Sequence, residues 1–254
     1  MIVPPLRIGI WQARSPAGDI DAACAEAESA LAAASAIAAD LVVLPELFLP
    51  GYNVETPEGL AVESPPIARL RRAAARHGVA LVFGFAEFAD DKLWNAALCL
   101  GPDGNIAARY RKIQLYGPRE KHLFAAGSEY AVFDLRGQRF GLLICYDVEF
   151  SPHVARMAEL GVTALLVPTA NMQPFTHVAE VTVPAMAANH GLAIAYANYC
   201  GEERDLAYVG TSTIVGPHGE VLARAGSTPC LLVVDLPDRD HARLSTQAAD
   251  LRRI

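Results

Sequence analysis

Trp94-Asn95-Ala96-Ala97-Leu98-Cys99-Leu100 and Asn105-Ile106-Ala107-Ala108-Arg109-Tyr110-Arg111, flanking the turn Pro102-Asp103-Gly104, read as the two arms of a β-hairpin. Tyr130 to Leu135 and Arg139 to Ile144 read the same way around Arg136-Gly137-Gln138, and a third hairpin centres on Gly216-Pro217-His218-Gly219. Such short turns join antiparallel neighbours, whereas parallel neighbours need a longer crossover. Crossovers are present too. Leu6-Arg7-Ile8-Gly9-Ile10-Trp11 alternates as a strand, and Asp19 then offers an N-cap for a helix running to about Ala39. The unbroken apolar run Leu41-Val42-Val43-Leu44 suits a strand covered on both faces. Ser64 before Pro65-Pro66 opens a second helix that ends at His77-Gly78, and Val79 to Phe85 returns as strand. Beyond the hairpins come a helix from near Ser151-Pro152, a strand from Ala164 to Val167, and a helix from about Thr176 to His190 that Pro184 should kink. Strands at Leu192 to Ala197 and Leu231 to Leu236 complete the reading. This mixture predicts an α/β fold of two mixed sheets packed face to face with helices outside; a doubly wound sheet strings crossovers together without so many hairpins. With no low-complexity linker, residues 1–254 read as a single domain.

Composition narrows the partners. The 254 residues are 52% hydrophobic and 19% charged, with a net charge of −7, which allows a sizeable core and removes the long-range attraction a nucleic acid requires. Arg71-Arg72 and Arg252-Arg253 are the longest basic runs. Ala30 to Ala39 is too short to span a bilayer, and Met1-Ile2-Val3-Pro4-Pro5 lacks the charged and apolar regions of a leader, so a cytoplasmic protein without membrane contact is expected. Cys24, Cys99, Cys145, Cys200 and Cys230 are odd in number and form no C-x-x-C pair, which suggests neither a disulfide framework nor a zinc site and leaves at least one free thiol. His122, His153, His177 and His190 lack metal-ligand spacing, Gly216-Pro217-His218-Gly219 is a turn and not a phosphate cradle, and Cys200 reads as a packed small side chain.

Three residues at strand ends can carry chemistry. Cys145 follows Phe140-Gly141-Leu142-Leu143-Ile144 at a strand-to-turn corner, where backbone N–H groups can stabilise a thiolate and an oxyanion. Glu46 follows Leu41 to Leu44 in apolar surroundings that should raise its pKa toward the range of a general base. Lys112 closes the strand ending in Tyr110-Arg111. Singly, these are equally an inert buried thiol, a strand-end carboxylate and a surface lysine. Strand ends converge in layered α/β folds, and together the three would let a carboxylate take a thiol proton while an ammonium holds developing negative charge.

Leu44-Pro45-Glu46-Leu47-Phe48-Leu49-Pro50-Gly51-Tyr52, then Tyr110-Arg111-Lys112-Ile113-Gln114-Leu115-Tyr116-Gly117, then Gly141-Leu142-Leu143-Ile144-Cys145-Tyr146-Asp147-Val148-Glu149-Phe150 resemble, in order, the three signatures of the nitrilase, or carbon–nitrogen hydrolase, superfamily. The likeness extends over almost the whole chain. It implies the nitrilase-like α-β-β-α sandwich, with Glu46 as general base, Lys112 as oxyanion stabiliser and Cys145 as nucleophile. Glu120, within Glu120-Lys121-His122-Leu123-Phe124, matches the family's second glutamate, which positions the lysine. Cys-Tyr-Asp after the strand, with Leu166 to Met172, Tyr196 to Gly201 and Gly210-Thr211-Ser212, is similar to aliphatic and ω-amino amidases of the 5-aminopentanamidase and R-stereoselective kinds.

The resemblance therefore implies hydrolysis of a small aliphatic carboxamide, ω-amino amides included, to acid and ammonia through a cysteine thioester. It calls for no metal and no cofactor, and it implies a homodimer or larger homo-oligomer. Tyr52, Tyr116, Tyr146, Glu149 and Asn171 are the candidates for binding substrate. A nitrilase or an N-carbamoyl hydrolase would use the same four catalytic residues, and a non-catalytic sandwich that binds a small ligand is the rival outside enzymes. Gln114 in place of a common His, Ser151-Pro152 in place of Pro-Glu, and Pro184, Met186 and Asn189 in the later helix depart from the family pattern.

Overall fold

Leu41 and Val43 point to one side of their strand and Val42 and Leu44 to the other, and both sides are covered in the computed structural model, which describes residues 5–252. Leu41 and Val43 share one buried cluster with Ile8, Ile10 and Val82 from neighbouring strands and with Leu142 and Leu166 from a second sheet. Val42 and Leu44 meet Leu31, Ile67 and Leu70 from two helices. That double cover is why the run is apolar without alternation. The opening segment Met1–Pro4, read above for a leader, lies outside the described residues, as do Arg253 and Ile254.

The first sheet is built from β1 (Arg7–Gln12), β2 (Leu41–Val43), β3 (Ala80–Ala89), β4 (Lys92–Leu100) and β5 (Ile106–Arg111). The second begins with β6 (Ala131–Leu135), β7 (Gln138–Leu142), β8 (Ala164–Pro168) and β9 (Ala193–Ala197). A small hairpin, β10 (Cys200–Glu203) and β11 (Leu206–Val209), stands apart from both. β12 (Thr213–Val215) and β13 (Val221–Arg224) finish the second sheet, and β14 (Cys230–Asp235) returns to the edge of the first. The orders are β14-β1-β2-β3-β4-β5 and β13-β12-β9-β8-β7-β6. β1, β2 and β3 are parallel, as are β7, β8 and β9, and the flanking strands of each sheet are antiparallel. The two sheets pack through β1 on β9 and β2 and β3 on β8. Helices α1 (Ile20–Ala36) and α2 (Pro65–His77) cover the outer face of the first sheet.

The expected elements appear, with instructive differences at their ends. Asp19 caps α1 by accepting from Ala22 N at 2.9 Å, but the helix stops at Ala36 because Ala38 turns to a φ of +54°. α2 ends at Gly78 in the left-handed conformation. Ser64 precedes it without a side-chain cap, and Pro66 leaves the second helical position with no N–H to offer. α3 (Gly117–Leu123) and α4 (Ser151–Glu159) follow the chemistry-bearing segments. The expected helix over 176–190 is divided into a π-turn, Val178–Thr182, and α5 (Val183–His190). Pro184 cannot donate to the Glu180 carbonyl, and the turn widens just before it, with Val183 N donating to Val178 O. The β10–β11 hairpin went unpredicted. Among the described residues no helix is long and apolar enough to cross a membrane.

Candidate active site

Glu46 leaves β2, Lys112 leaves β5, Cys145 follows β7, and Thr169-Ala170 follow β8, so four strand ends from two sheets converge on one edge of the sandwich. Glu46 N donates to Thr169 O at 3.3 Å and joins the sheets at that point. The approach depends on Gly84 of β3: a Cβ there would lie 2.2 Å from Leu47 N and 2.7 Å from Glu46 Cα. Only a residue without a side chain lets the Glu46 corner fold down against β3.

Glu46, Lys112 and Glu120 form a buried row, with relative exposures of 0%, 0% and 1%. Lys112 Nζ donates to Glu46 Oε1 at 2.6 Å and to Glu120 Oε1 at 2.8 Å. Glu46 Oε1 also accepts from Asn95 Nδ2 at 2.7 Å, while its Oε2 has no partner among the described residues. Glu120, on α3, accepts from Tyr52 Oη at 2.7 Å and from Tyr116 N at 3.0 Å. Burial pushes the Glu46 carboxyl from 4.5 to about 7, the Lys112 ammonium pulling it back and Glu120 pushing it up. For Lys112 burial acts downward, but the carboxylates of Glu120 and Glu46 outweigh it and hold the ammonium above its ordinary range. The row is thus a fixed cation with a carboxyl group poised near neutrality.

Cys145 starts a tight turn with a φ of +43°, in the left-handed region that an L-residue occupies at a cost. Asp147 holds that corner: its Oδ2 accepts from Ile144 N at 3.0 Å and Tyr110 Oη at 2.8 Å, and its Oδ1 accepts from Gln114 N at 2.7 Å. One buried carboxylate therefore ties the turn carrying Cys145 to the segment just beyond Lys112. Burial pushes the Cys145 thiol well up and Glu46 adds to this, while Lys112 and a hydrogen bond from the Ala170 N–H pull it down. Burial thus favours the thiol form of the sulfur, and a nearby base is needed to take its proton as it attacks.

A cavity of about 250 Å³ opens above the sulfur. Cys145 lines it together with all five expected binding residues, Tyr52, Tyr116, Tyr146, Glu149 and Asn171, and with Ala170, Met172, Phe175 and His177. Tyr116 stands edge-on to Tyr146 and to Phe175, at 5.3 and 6.2 Å between ring centres. Asn171 Nδ2 donates to Phe175 O at 2.9 Å and so shapes the wall. Glu149 is half-buried, and burial raises its carboxyl above the ordinary value, against the pull of His177 and Lys112.

Sequence reasoning gave no role to Asn95, Asp147, Ala170, Met172, Phe175 or His177. Asn95 had a usable signal as the lone amide ahead of Ala96-Ala97-Leu98, and Asp147 stood inside a motif already quoted. The other four lie on a turn that only the fold brings over Cys145. Cys200 is a buried small side chain whose Sγ sits 3.5 Å from Ala13 O.

A sandwich of two mixed sheets with a cysteine, two glutamates and a lysine gathered at one edge defines a carbon–nitrogen hydrolase site. The chain belongs to the carbon-nitrogen hydrolase family, whose model matches residues 7–243. It is 34% identical to an (R)-stereoselective amidase from Pseudomonas sp, over 83% of this chain and 77% of that protein. It is 37% identical to a nitrilase from Pyrococcus abyssi, over 80% of this chain and 78% of the other. The crystal structure of an amidase from Nesterenkonia sp. superposes with a TM-score of 0.89 at 35% identity, covering 99% of this chain and 95% of that one. A variant of that amidase has been solved in complex with butyramide.

Proposed function

We propose that the protein hydrolyses small aliphatic carboxamides to the carboxylic acid and ammonia. The observation that carries this reading is the buried Glu46, with one oxygen held by Lys112 and Asn95 and the other free, in the row that meets Cys145 beneath a cavity of about 250 Å³. The Cys145 sulfur adds to the amide carbonyl carbon while its proton passes to Glu46. Lys112 and the Tyr146 N–H stabilise the oxyanion. Collapse of the tetrahedral adduct breaks the carbon–nitrogen bond, Glu46 protonates the leaving nitrogen, and ammonia departs from a thioester. Water, giving a proton to Glu46, then adds to the thioester, and the acid leaves as the thiol is restored. Nitriles and N-carbamoyl compounds would engage the same four residues; an amide and a nitrile both end as ammonia and acid, so the substrate consumed separates those two, while a carbamoyl group gives ammonia and carbon dioxide with release of the amine.

Ammonia release over a panel of amides, nitriles and carbamoyl compounds tests the assignment. Amides should be turned over, and Cys145→Ala should abolish turnover while leaving the fold intact. Full amide hydrolysis by that variant would defeat the mechanism.

The cavity suits an amide with a cationic far end. Glu149 offers a carboxylate in a lining that includes the rings of Tyr116, Tyr146 and Phe175 as well as His177, and aromatic faces with a carboxylate favour an ammonium group. 5-Aminopentanamide should be hydrolysed about ten-fold faster than valeramide at equal low concentration, the worth of one charge-assisted hydrogen bond, and Glu149→Gln should erase the difference. Equal rates in the native enzyme would remove the amine-binding reading. The same family reading carries with it a homodimer or larger homo-oligomer, measurable by sedimentation, and a cytoplasmic location.

A further inference from the structure

Outside the catalytic row, two buried carboxylates, Asp147 and Glu203, have no Lys or Arg partner among the described residues, and Asp147 already has its place at the Cys145 turn. Glu203, at the end of β10, is 3% exposed, and among the described residues no Lys or Arg pairs with it. Its Oε2 accepts from Asn53 N at 3.0 Å and from Tyr208 Oη at 2.5 Å, and its own carbonyl accepts from Asn53 Nδ2 at 3.0 Å. Oε1 has no partner among the described residues. It faces Gly51, where a Cβ would lie 2.7 Å away at a backbone φ of +127°. Every contact thus falls on the short loop over residues 51–53 or on the neighbouring strand β11.

That loop carries Tyr52, whose hydroxyl donates to the Glu120 oxygen that also receives the Lys112 ammonium. Arg119, beside Glu120, donates to the Tyr52 carbonyl at 2.8 Å and to the Val54 carbonyl, so the loop is gripped from the α3 side as well. On the other side, Tyr208 of β11 pairs with Met172, and Val209 N donates to Asn171 O at 3.1 Å, both on the cavity wall. Burying a carboxylate without a cation is costly unless hydrogen bonds compensate, and a purely structural loop contact would be served as well by a neutral amide.

We propose that Glu203 is a positioning residue for the reaction: it fixes the 51–53 loop so that Tyr52 holds Glu120, and through it the Lys112 ammonium, in the geometry that receives the oxyanion. The chain of contacts runs Glu203, Asn53, Tyr52, Glu120, Lys112, every link a hydrogen bond or a peptide bond. It also couples the two sides of the cavity, because the same carboxylate holds Tyr208 against the Met172 wall.

The experiment is a double-mutant cycle between Glu203→Gln and Tyr52→Phe, read in kcat and KM. Glu203→Gln alone should lower kcat about ten-fold with KM within about two-fold, as expected when an interaction made only in the transition state is weakened. In the Tyr52→Phe background, where the bond to Glu120 is already gone, the same substitution should cost less than about two-fold. An equal cost in both backgrounds, an unchanged kcat, or a loss confined to KM would each overturn the proposal. If Glu203→Gln does not fold, Asn53→Ala, which cuts the clamp from the loop side, should give the same pair of results and is judged by the same outcomes. The ratio between backgrounds can be taken with any substrate the native enzyme turns over, or with the rate of Cys145 alkylation by iodoacetamide. Absence of amide turnover in the native enzyme would therefore count against the proposed activity without touching this inference.

Discussion

Replacing Glu46 by Gln should make the protein more stable and catalytically dead. In the folded chain burial lifts the Glu46 carboxyl from 4.5 to about 7. Between those values the folded state holds a proton that the unfolded state has released, so stability falls as pH rises through that window and the loss is complete above about 7. Each pH unit is worth about 1.4 kcal/mol, and the span corresponds to about 3 kcal/mol of destabilisation carried at pH 8. Gln keeps the shape of the protonated acid, and its oxygen can still accept from Lys112 and Asn95. The new NH₂ takes the place of an oxygen that has no partner, which costs about 1 kcal/mol. The net expectation is a gain of about 2 kcal/mol at pH 8, or about 5 °C in Tm, shrinking toward zero or below by pH 4.5. Urea denaturation of both proteins from pH 4.5 to 8.5 measures it. A Glu46→Gln protein less stable than the native one at pH 8, or a difference that does not grow with pH, would refute the argument that the base is held ionised against its surroundings.

Activity should follow the same group from the other side: kcat/KM rises with pH through a midpoint near 7 as Glu46 ionises, and a midpoint near 4.5 in the pH–rate profile would place that carboxyl in water. Asp147→Ala strands the N–H groups of Ile144 and Gln114 and the hydroxyl of Tyr110, which should cost about 3 kcal/mol in urea denaturation and lower kcat at least ten-fold, roughly, by freeing the Cys145 turn. Gly84→Ala drives a Cβ into the Leu47 N–H region, so a loss of about 3 kcal/mol with near-complete loss of turnover is expected, and a stable, active variant would show that the corner can move.

The architecture was legible because its punctuation is local. Asp19 and Gly78 mark helix ends through their own backbone preferences, the three hairpins carry Gly-containing turns, and Pro184 forces its break by lacking one N–H. The hairpin β10–β11 escaped because Cys200-Gly201-Glu202-Glu203 has no apolar alternation; its Glu203 is buried by hydrogen bonds to a loop some 150 positions earlier. Glu46, Lys112 and Cys145 could be named because three ordered motifs contain them, and Glu120 because the family pattern places a second glutamate shortly after the lysine. Asn95 and Asp147 act through pairings across 49 and 33 positions, which the local pattern does not encode. The same limit applies to the cavity wall, where Met172, Phe175 and His177 meet Tyr52 and Tyr116 only once two sheets have closed.

The sharing of one ammonium between Glu46 and Glu120 bears on how turnover ends. When Glu46 is ionised, a single positive charge is outnumbered by its two carboxylates, and Glu149 adds negative character at the cavity wall. A neutral carboxamide enters such a vestibule without electrostatic cost, whereas the freshly cut acid ionises and is repelled from it. The charge pattern thus acts as a one-way valve, admitting what is to be split and expelling what has been made, so inhibition by accumulated acid should be weak.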